Sequence, residues 1–176
     1  MRKALVLLLL VPMIGLPQEQ RKPDPWSPFT FFVGAWKGTG KGEPGLSQVE
    51  RKYESILNGK FIRVAHKSIY APQEKNPKGE THEDLGFISY DRSRKQFVFR
   101  QFHIESFVIQ YRLESISENG REMVWISESI ENVPAGYRAR ETHRIVSDSE
   151  FVEIFELAAP GKEFAVYSEN RFTRQK

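Results

Sequence analysis

No cysteine occurs among the 176 residues. Disulfides, thiolate metal sites and a lipidated amino-terminal cysteine are thereby excluded. Two ordinary domains are excluded by length. The fold must be held by its core alone, and ~150 residues suffice for that. A long hydrophobic run is also missing. The apolar stretch 4–16 is shorter than the ~20 residues that span a bilayer. Behind the basic Met1-Arg2-Lys3, it has the layout of a secretory signal. Residues 1–17 are expected as a signal peptide cleaved near Pro17, with export to the periplasm or beyond and no membrane association afterwards. A membrane anchor is the alternative, because Pro12 interrupts the run and no A-x-A site follows.

An excess of one charge sign is absent as well. The formal net charge is +3, from 26 basic and 23 acidic side chains. Residues 1–17 hold Arg2 and Lys3 and no acid, so 24 basic and 23 acidic side chains remain without them. A nucleic-acid partner asks for Lys and Arg clustered on one face, and none is expected here. Helical periodicity is missing too. No stretch of ~10–15 residues carries it, which argues against a βαβ sheet.

What is present is aromatic and alternating. Thirteen Phe and six Tyr favour pleated, half-buried surfaces. Residues 18–28 (QEQRKPDPWSP) read as an extended lead-in, and 29–33 as one helical turn plugging an end of the domain. Strands are expected over 35–42, 48–57, 60–70, 83–90, 96–103, 107–114, 122–129, 137–146, 150–158 and 163–173. Asn58-Gly59 and Asn119-Gly120 are hairpin signals. Asp91-Arg92-Ser93-Arg94, Ser147-Asp148-Ser149 and Ala159-Pro160-Gly161-Lys162 fit tight reversals. The resulting fold class is all-β: a closed up-and-down antiparallel barrel of about ten strands over residues 29–176. Closure removes exposed edges, and such a barrel is wide enough for one small ligand.

The stretch FFVGAWKGTGKGEPG, residues 31–45, could be a phosphate cradle or a first strand. A P-loop needs Ser or Thr after Gly-Lys and a helix beyond, but Gly42 follows Gly40-Lys41 and Glu43-Pro44-Gly45 is a turn. As a strand, it places Gly34, Trp36, Gly38, Gly40 and Gly42 in one phase. Glycines there mark a bend or a close backbone approach. The Trp36 ring would cover the barrel floor under an Arg of the last strand. Arg171 and Arg174 are available, and Arg171 is the expected partner.

Gly34-Ala35-Trp36 resembles the G-x-W signature of lipocalin-type barrels. GAWKGTGKGEPG resembles the G-x-W-x-G-x-G-x-G-x-x-[PG] opening of nitrobindin-like barrels, and His82 to Phe87 resembles their H-x-[DE]-x-G-[FY] strand. GFISYDRSRKQFVFRQFHIESFVIQY and the ending ENRFTR are similar to uncharacterised secreted bacterial barrels of this kind. The resemblance spans 28–174 and implies a calycin-type, ten-stranded fold. Some members bind haem through a His near the carboxyl end. The last strand here, FAVYSENRFTR, has none, which leaves His143 as the nearest axial ligand.

Alternation assigns faces to side chains. Glu141 and His143 share a phase against Arg138, Arg140, Thr142 and Arg144, so both point inward. His66 opposes Arg63 and Lys67, and His103 follows Phe97, Phe99 and Gln101. Arg51 is in phase with Val49 and Tyr53. Polar groups on interior phases need partners, which implies either an internal hydrogen-bond network with ordered water or a polar-lined ligand cavity. An aromatic wall of Tyr53, Phe97, Phe99, Phe107, Tyr111, Trp125 and Tyr137 would hold a small hydrophobic or amphipathic molecule, oriented by Arg51, His66, His103, Glu141 and His143. Three metal ligands do not cluster in sequence, and no metal is assigned. His82 is expected outside or at the rim. With no G-x-S-x-G elbow, an enzyme would have to use Glu141 and His143 as acid and base. The expected function is an exported small-molecule-binding barrel.

Overall fold

The structure is a computed structural model and describes residues 24–176. The signal-peptide reading and most of the lead-in lie outside the described residues. Ten strands follow a single 3-10 turn, Ser27–Phe29. They are β1 (Gly34–Gly42), β2 (Ser47–Ile56), β3 (Phe61–Tyr70), β4 (Glu80–Asp91), β5 (Gln96–His103), β6 (Val108–Ile116), β7 (Glu122–Glu131), β8 (Arg138–Ser147), β9 (Glu150–Ala158) and β10 (Ala165–Arg174). Each strand pairs with its sequence neighbours, and β1 pairs with β10, so the sheet closes on itself. The expected all-β barrel is the observed one.

Turn chemistry sets the hairpins. Asn58 and Gly59 adopt φ of +57° and +73°, the pairing that a type I′ turn requires. Lys60 N–H closes that turn on the Leu57 carbonyl at 3.3 Å. At the second hairpin the Asn119 side-chain oxygen accepts from Ser117 Oγ at 2.8 Å and from Arg121 N–H at 3.0 Å.

The glycines of β1 permit closure. A Cβ at Gly38 would fall well inside contact distance of the Arg171 carbonyl. The backbones of β1 and β10 therefore approach as only glycine allows. The 31–45 stretch is wall and turn, with no helix after Gly42.

One end of the barrel is packed solid. Phe29 and Phe32, from the segment before β1, insert beneath Trp36, Tyr53, Phe97, Phe99, Trp125, Phe151 and Phe172. Trp36 Nε1–H donates to the Phe32 carbonyl at 2.7 Å, which ties the plug to the wall. Each fully buried aromatic side chain contributes about 2–3 kcal/mol. The Arg on Trp36 is Arg174, not Arg171. The Arg174 guanidinium carbon lies 4.1 Å from the Trp36 ring centroid. In the β1–β10 register Trp36 faces Arg174, whereas Arg171 faces Thr39 and points outward to Glu150. Arg174 shares its phase with the buried Asn170 and Phe172, and that alternation places it inside.

Candidate functional site

The other half of the barrel is hollow. Its cavity holds about 470 Å³, and its lining includes Pro44, Tyr70, Val133 and Tyr167. A larger depression of about 640 Å³ on the molecule is more open to solvent and is lined partly by Lys37, Lys52, Arg63 and Lys67. The less open cavity is the chemically distinctive one.

Its floor is a charged layer. Arg51 of β2 reaches across the lumen to Glu153 of β9, with Nη2 3.2 Å from Oε1 and Nη1 against Oε2. Nη1 also lies 3.5 Å from Glu141 Oε1 on β8. His143 Nε2 sits 2.7 Å from Glu141 and 3.3 Å from Glu153. Asn170 donates to Glu153 at 3.1 Å. All four charged groups are buried. Two carboxylates against a guanidinium and an imidazolium form a balanced set, the condition under which buried charge is tolerated.

The ionisation of the layer follows. Burial pulls Arg51 down, but Glu153 and its neighbours outweigh it and hold the guanidinium charged. Burial opposes protonation of His143, yet its hydrogen bonds to Glu141 and Glu153 raise its pKa above the usual imidazole value. Burial pushes Glu141 up, reinforced by Glu153. Burial also acts upward on Glu153, but Arg51 overcomes it and lowers its pKa. His66 stands apart. Its Nδ1 accepts from Arg51 Nε–H at 3.2 Å, and its Nε2 lies 2.8 Å from Ser68 Oγ. Burial first and Arg51 second lower its pKa to about 4, so it is a neutral imidazole.

A second polar group lines the cavity higher up, from β4, β5 and the turn after β5. His82 Nδ1 lies 2.7 Å from Glu105, and its Nε2 faces Asp84 Oδ2 at 3.6 Å. Gln101 donates to Asp84 Oδ1 at 3.4 Å. His103 stacks on Phe107 with centroids 4.0 Å apart. Both ring nitrogens of His103 are buried without a hydrogen-bond partner. The apolar part of the wall comes from Ile109, Ile130, Phe155 and Leu157 with the Tyr137 ring, while Ser68, Tyr70, Glu80 and Ser168 add further polar groups.

The expected site residues divide between the two halves. Arg51, His66, His103, Phe107, Tyr137 and Glu141 line the cavity. Tyr53, Phe97, Phe99, Tyr111 and Trp125 do not; they belong to the packed core. Their interior phase was read correctly, but their height along the barrel axis puts them below the charged layer. His143 is interior and is sealed against Phe32 and Phe151, with ring centroids 5.4 and 6.1 Å away. It does not fit the role of a haem axial ligand, because its Nε2 is engaged by the Glu141 and Glu153 carboxylates, which stand between it and the cavity that they line. Glu141 and His143 do touch, as an acid–base pair would, but only Glu141 reaches the cavity.

Several lining residues were not singled out. Glu153 lies on Phe151-x-Glu153-x-Phe155-x-Leu157, an interior phase. The opposite phase of β9, Val152-x-Ile154-x-Glu156, is nearly as apolar, so alternation offers little contrast. Asn170 shares its phase with Phe172, a signal that was available. His82, expected at or outside the rim, is half-buried and lines the cavity.

No protein-family model matches this sequence. No curated protein matches it either. Among solved structures, the chain is similar to the crystal structure of Rv2717c from M. tuberculosis, with a TM-score of 0.67 at 16% identity over 86% of this chain and 97% of that one. That likeness is one of fold. A redesigned beta barrel aligns with a TM-score of 0.44 at 10% identity, over 83% of this chain and 93% of that one. A de novo designed fluorescence-activating beta barrel aligns at 0.43 and 14% identity, over 82% and 94%.

Proposed function

We propose that the protein is an exported carrier or binding barrel that takes one small amphipathic molecule into its open half. The observation that carries this reading is the 470 Å³ interior cavity, whose apolar wall stands over a polar floor. Small-molecule sites have this makeup. Gln101 Oε1 and the His103 ring nitrogens are buried without partners and are free to bond an occupant. Export is supported by the basic start and apolar stretch of residues 1–17. The G-x-W opening and the motif from His82 to Phe87 support a place beside the nitrobindin-like barrels.

The charge of the lining narrows the ligand. Arg51 is engaged by Glu153 and Glu141, so it offers no unpaired cation to a fatty-acid carboxylate. Glu80, Asp84 and Glu105 add acidic groups above it. The polar end of the ligand is therefore neutral or cationic and donates hydrogen bonds.

Nile red, a neutral apolar dye, tests the cavity. Saturable fluorescence at one dye per chain is expected, and Leu157→Trp, which fills the cavity from its wall, should abolish it. Leu157→Trp protein with an unchanged melting curve and undiminished dye binding would overturn the reading, as would no saturable binding by the wild type. A native mass spectrum of protein from its own host should then show the retained molecule.

A further inference from the structure

We propose that His82, Asp84 and His103 bind one divalent transition-metal ion at the upper wall of the cavity. The sheet register assembles the three ligands. His82 and Asp84 are two residues apart on β4 and share its inner face, and antiparallel pairing sets His103 of β5 directly opposite Asp84. One donor atom from each lies within 4.8 Å of the others. A tetrahedral ion with bonds of ~2.0–2.2 Å keeps its donors ~3.3–3.6 Å apart. His82 Nε2 and Asp84 Oδ2 already stand at 3.6 Å. A movement of ~1 Å by the His103 ring completes the set.

The surrounding groups orient these ligands as metal sites require. Glu105 accepts the Nδ1–H of His82 at 2.7 Å, so Nε2, which faces Asp84, is the nitrogen that an incoming ion would take in exchange for its proton. Gln101 holds Asp84 Oδ1 at 3.4 Å and leaves Oδ2 toward His82. Phe107 stacks against the His103 ring and fixes its plane.

His103 decides between this reading and a plain ion pair. A protonated His82 between Asp84 and Glu105 would account for those three residues alone. It would leave His103 with two buried nitrogens and no partner. A buried polar group without a partner is costly, and a metal bond supplies a partner for one of the two nitrogens. Two imidazoles and a carboxylate suit Zn²⁺, Co²⁺, Ni²⁺ or Fe²⁺ and disfavour Ca²⁺ and Mg²⁺. The other grouping of three potential ligands, Glu141, His143 and Glu153, is a poor competitor. The Arg51 guanidinium already lies between its carboxylates and would repel a cation. The remaining coordination positions of the ion face the cavity, where water or a donor atom of an occupant completes the shell.

The test uses untagged protein stripped with chelator and then titrated with ZnSO₄ by calorimetry and with CoCl₂ by visible absorption. One ion per chain is expected, with the intensified d–d bands of a low-coordinate Co²⁺ site. His103→Ala and Asp84→Asn should each weaken binding at least a hundredfold, and Glu105→Gln about tenfold. If a ligand variant fails to fold, NMR of the wild type decides instead: Zn²⁺ should move the ring resonances of His82 and His103 and leave those of His143 in place. No saturable Zn²⁺ binding, binding indifferent to His103→Ala and Asp84→Asn in folded protein, or Zn²⁺ shifts centred on His143 would overturn the proposal. Metal binding is read without any dye, so its failure and that of the carrier reading are separate outcomes.

Discussion

Arg174 lies over the face of Trp36, its guanidinium carbon 4.1 Å from the ring centroid, while its Nη1 donates to the Val33 carbonyl at 2.9 Å. Its other terminal nitrogen bonds the Phe31 carbonyl. One side chain from the last strand thus clamps both the first strand and the plug ahead of it. Arg174→Ala is expected to destabilise the protein by about 2–3 kcal/mol, from lost cation–π attraction and two lost charge-assisted hydrogen bonds. Arg171→Ala removes an exposed ion pair and should cost less than about 1 kcal/mol. Urea melts of the two variants check the contrast. Equal effects would mean that the clamp is not structural.

The Arg51–Glu153 pair gives a sharper asymmetry. Arg51→Met leaves two buried carboxylates without their guanidinium, and a loss of about 3–5 kcal/mol is expected. Adding Glu153→Met removes one of those stranded charges and leaves Glu141 with His143 at 2.7 Å. The double variant should recover at least half of the loss. A double variant no more stable than Arg51→Met alone would show that the layer does not balance as a unit.

Stability should decline on the alkaline side because of His143. Its pKa is raised in the folded protein above the ordinary 6.5, against burial, by hydrogen bonds to Glu141 and Glu153. A raised value means a contribution that is complete below pH 6.5 and lost as pH climbs through the folded value. His66, lowered to about 4 when folded, works the other way: unfolded it still binds a proton around pH 6.5, so its penalty fades as pH rises, equally in wild type and in a His143 variant. Melting temperatures of wild type and His143→Gln from pH 6 upward isolate the group: the gap between them should shrink as pH rises. A gap independent of pH would mean that His143 is neutral when folded.

Glycine substitutions separate close approach from turn geometry. Gly38→Ala drives a Cβ into the Arg171 carbonyl at the β1–β10 seam. Overpacking of this kind costs about 1–3 kcal/mol or more. Gly120→Ala meets nothing within 4 Å and suffers only from its φ of +69°. About 1 kcal/mol is expected there. Thermal melts should rank the two in that order, and the reverse ranking would contradict the seam.

Much of this fold was legible in the residue order. Alternation put Arg51, His66, Glu141 and His143 inside, and the Asn-Gly pairs located two hairpins. Arg171 was misread as the partner of Trp36 because two arginines close the last strand. Only the neighbours Asn170 and Phe172 reveal which one turns inward.

The amino-acid sequence by itself determined the strands, their turns and the face that each side chain takes, because those follow from local dihedrals and a period of two. Tertiary structure alone decided height along the barrel axis, since that depends on the stagger between strands. It sealed Phe97, Phe99 and Trp125 beneath the charged layer, fixed His143 within it, and left His66 and Phe107 on the cavity lining. It also brought His82 and Asp84 across from His103, which lies about twenty residues further along the chain.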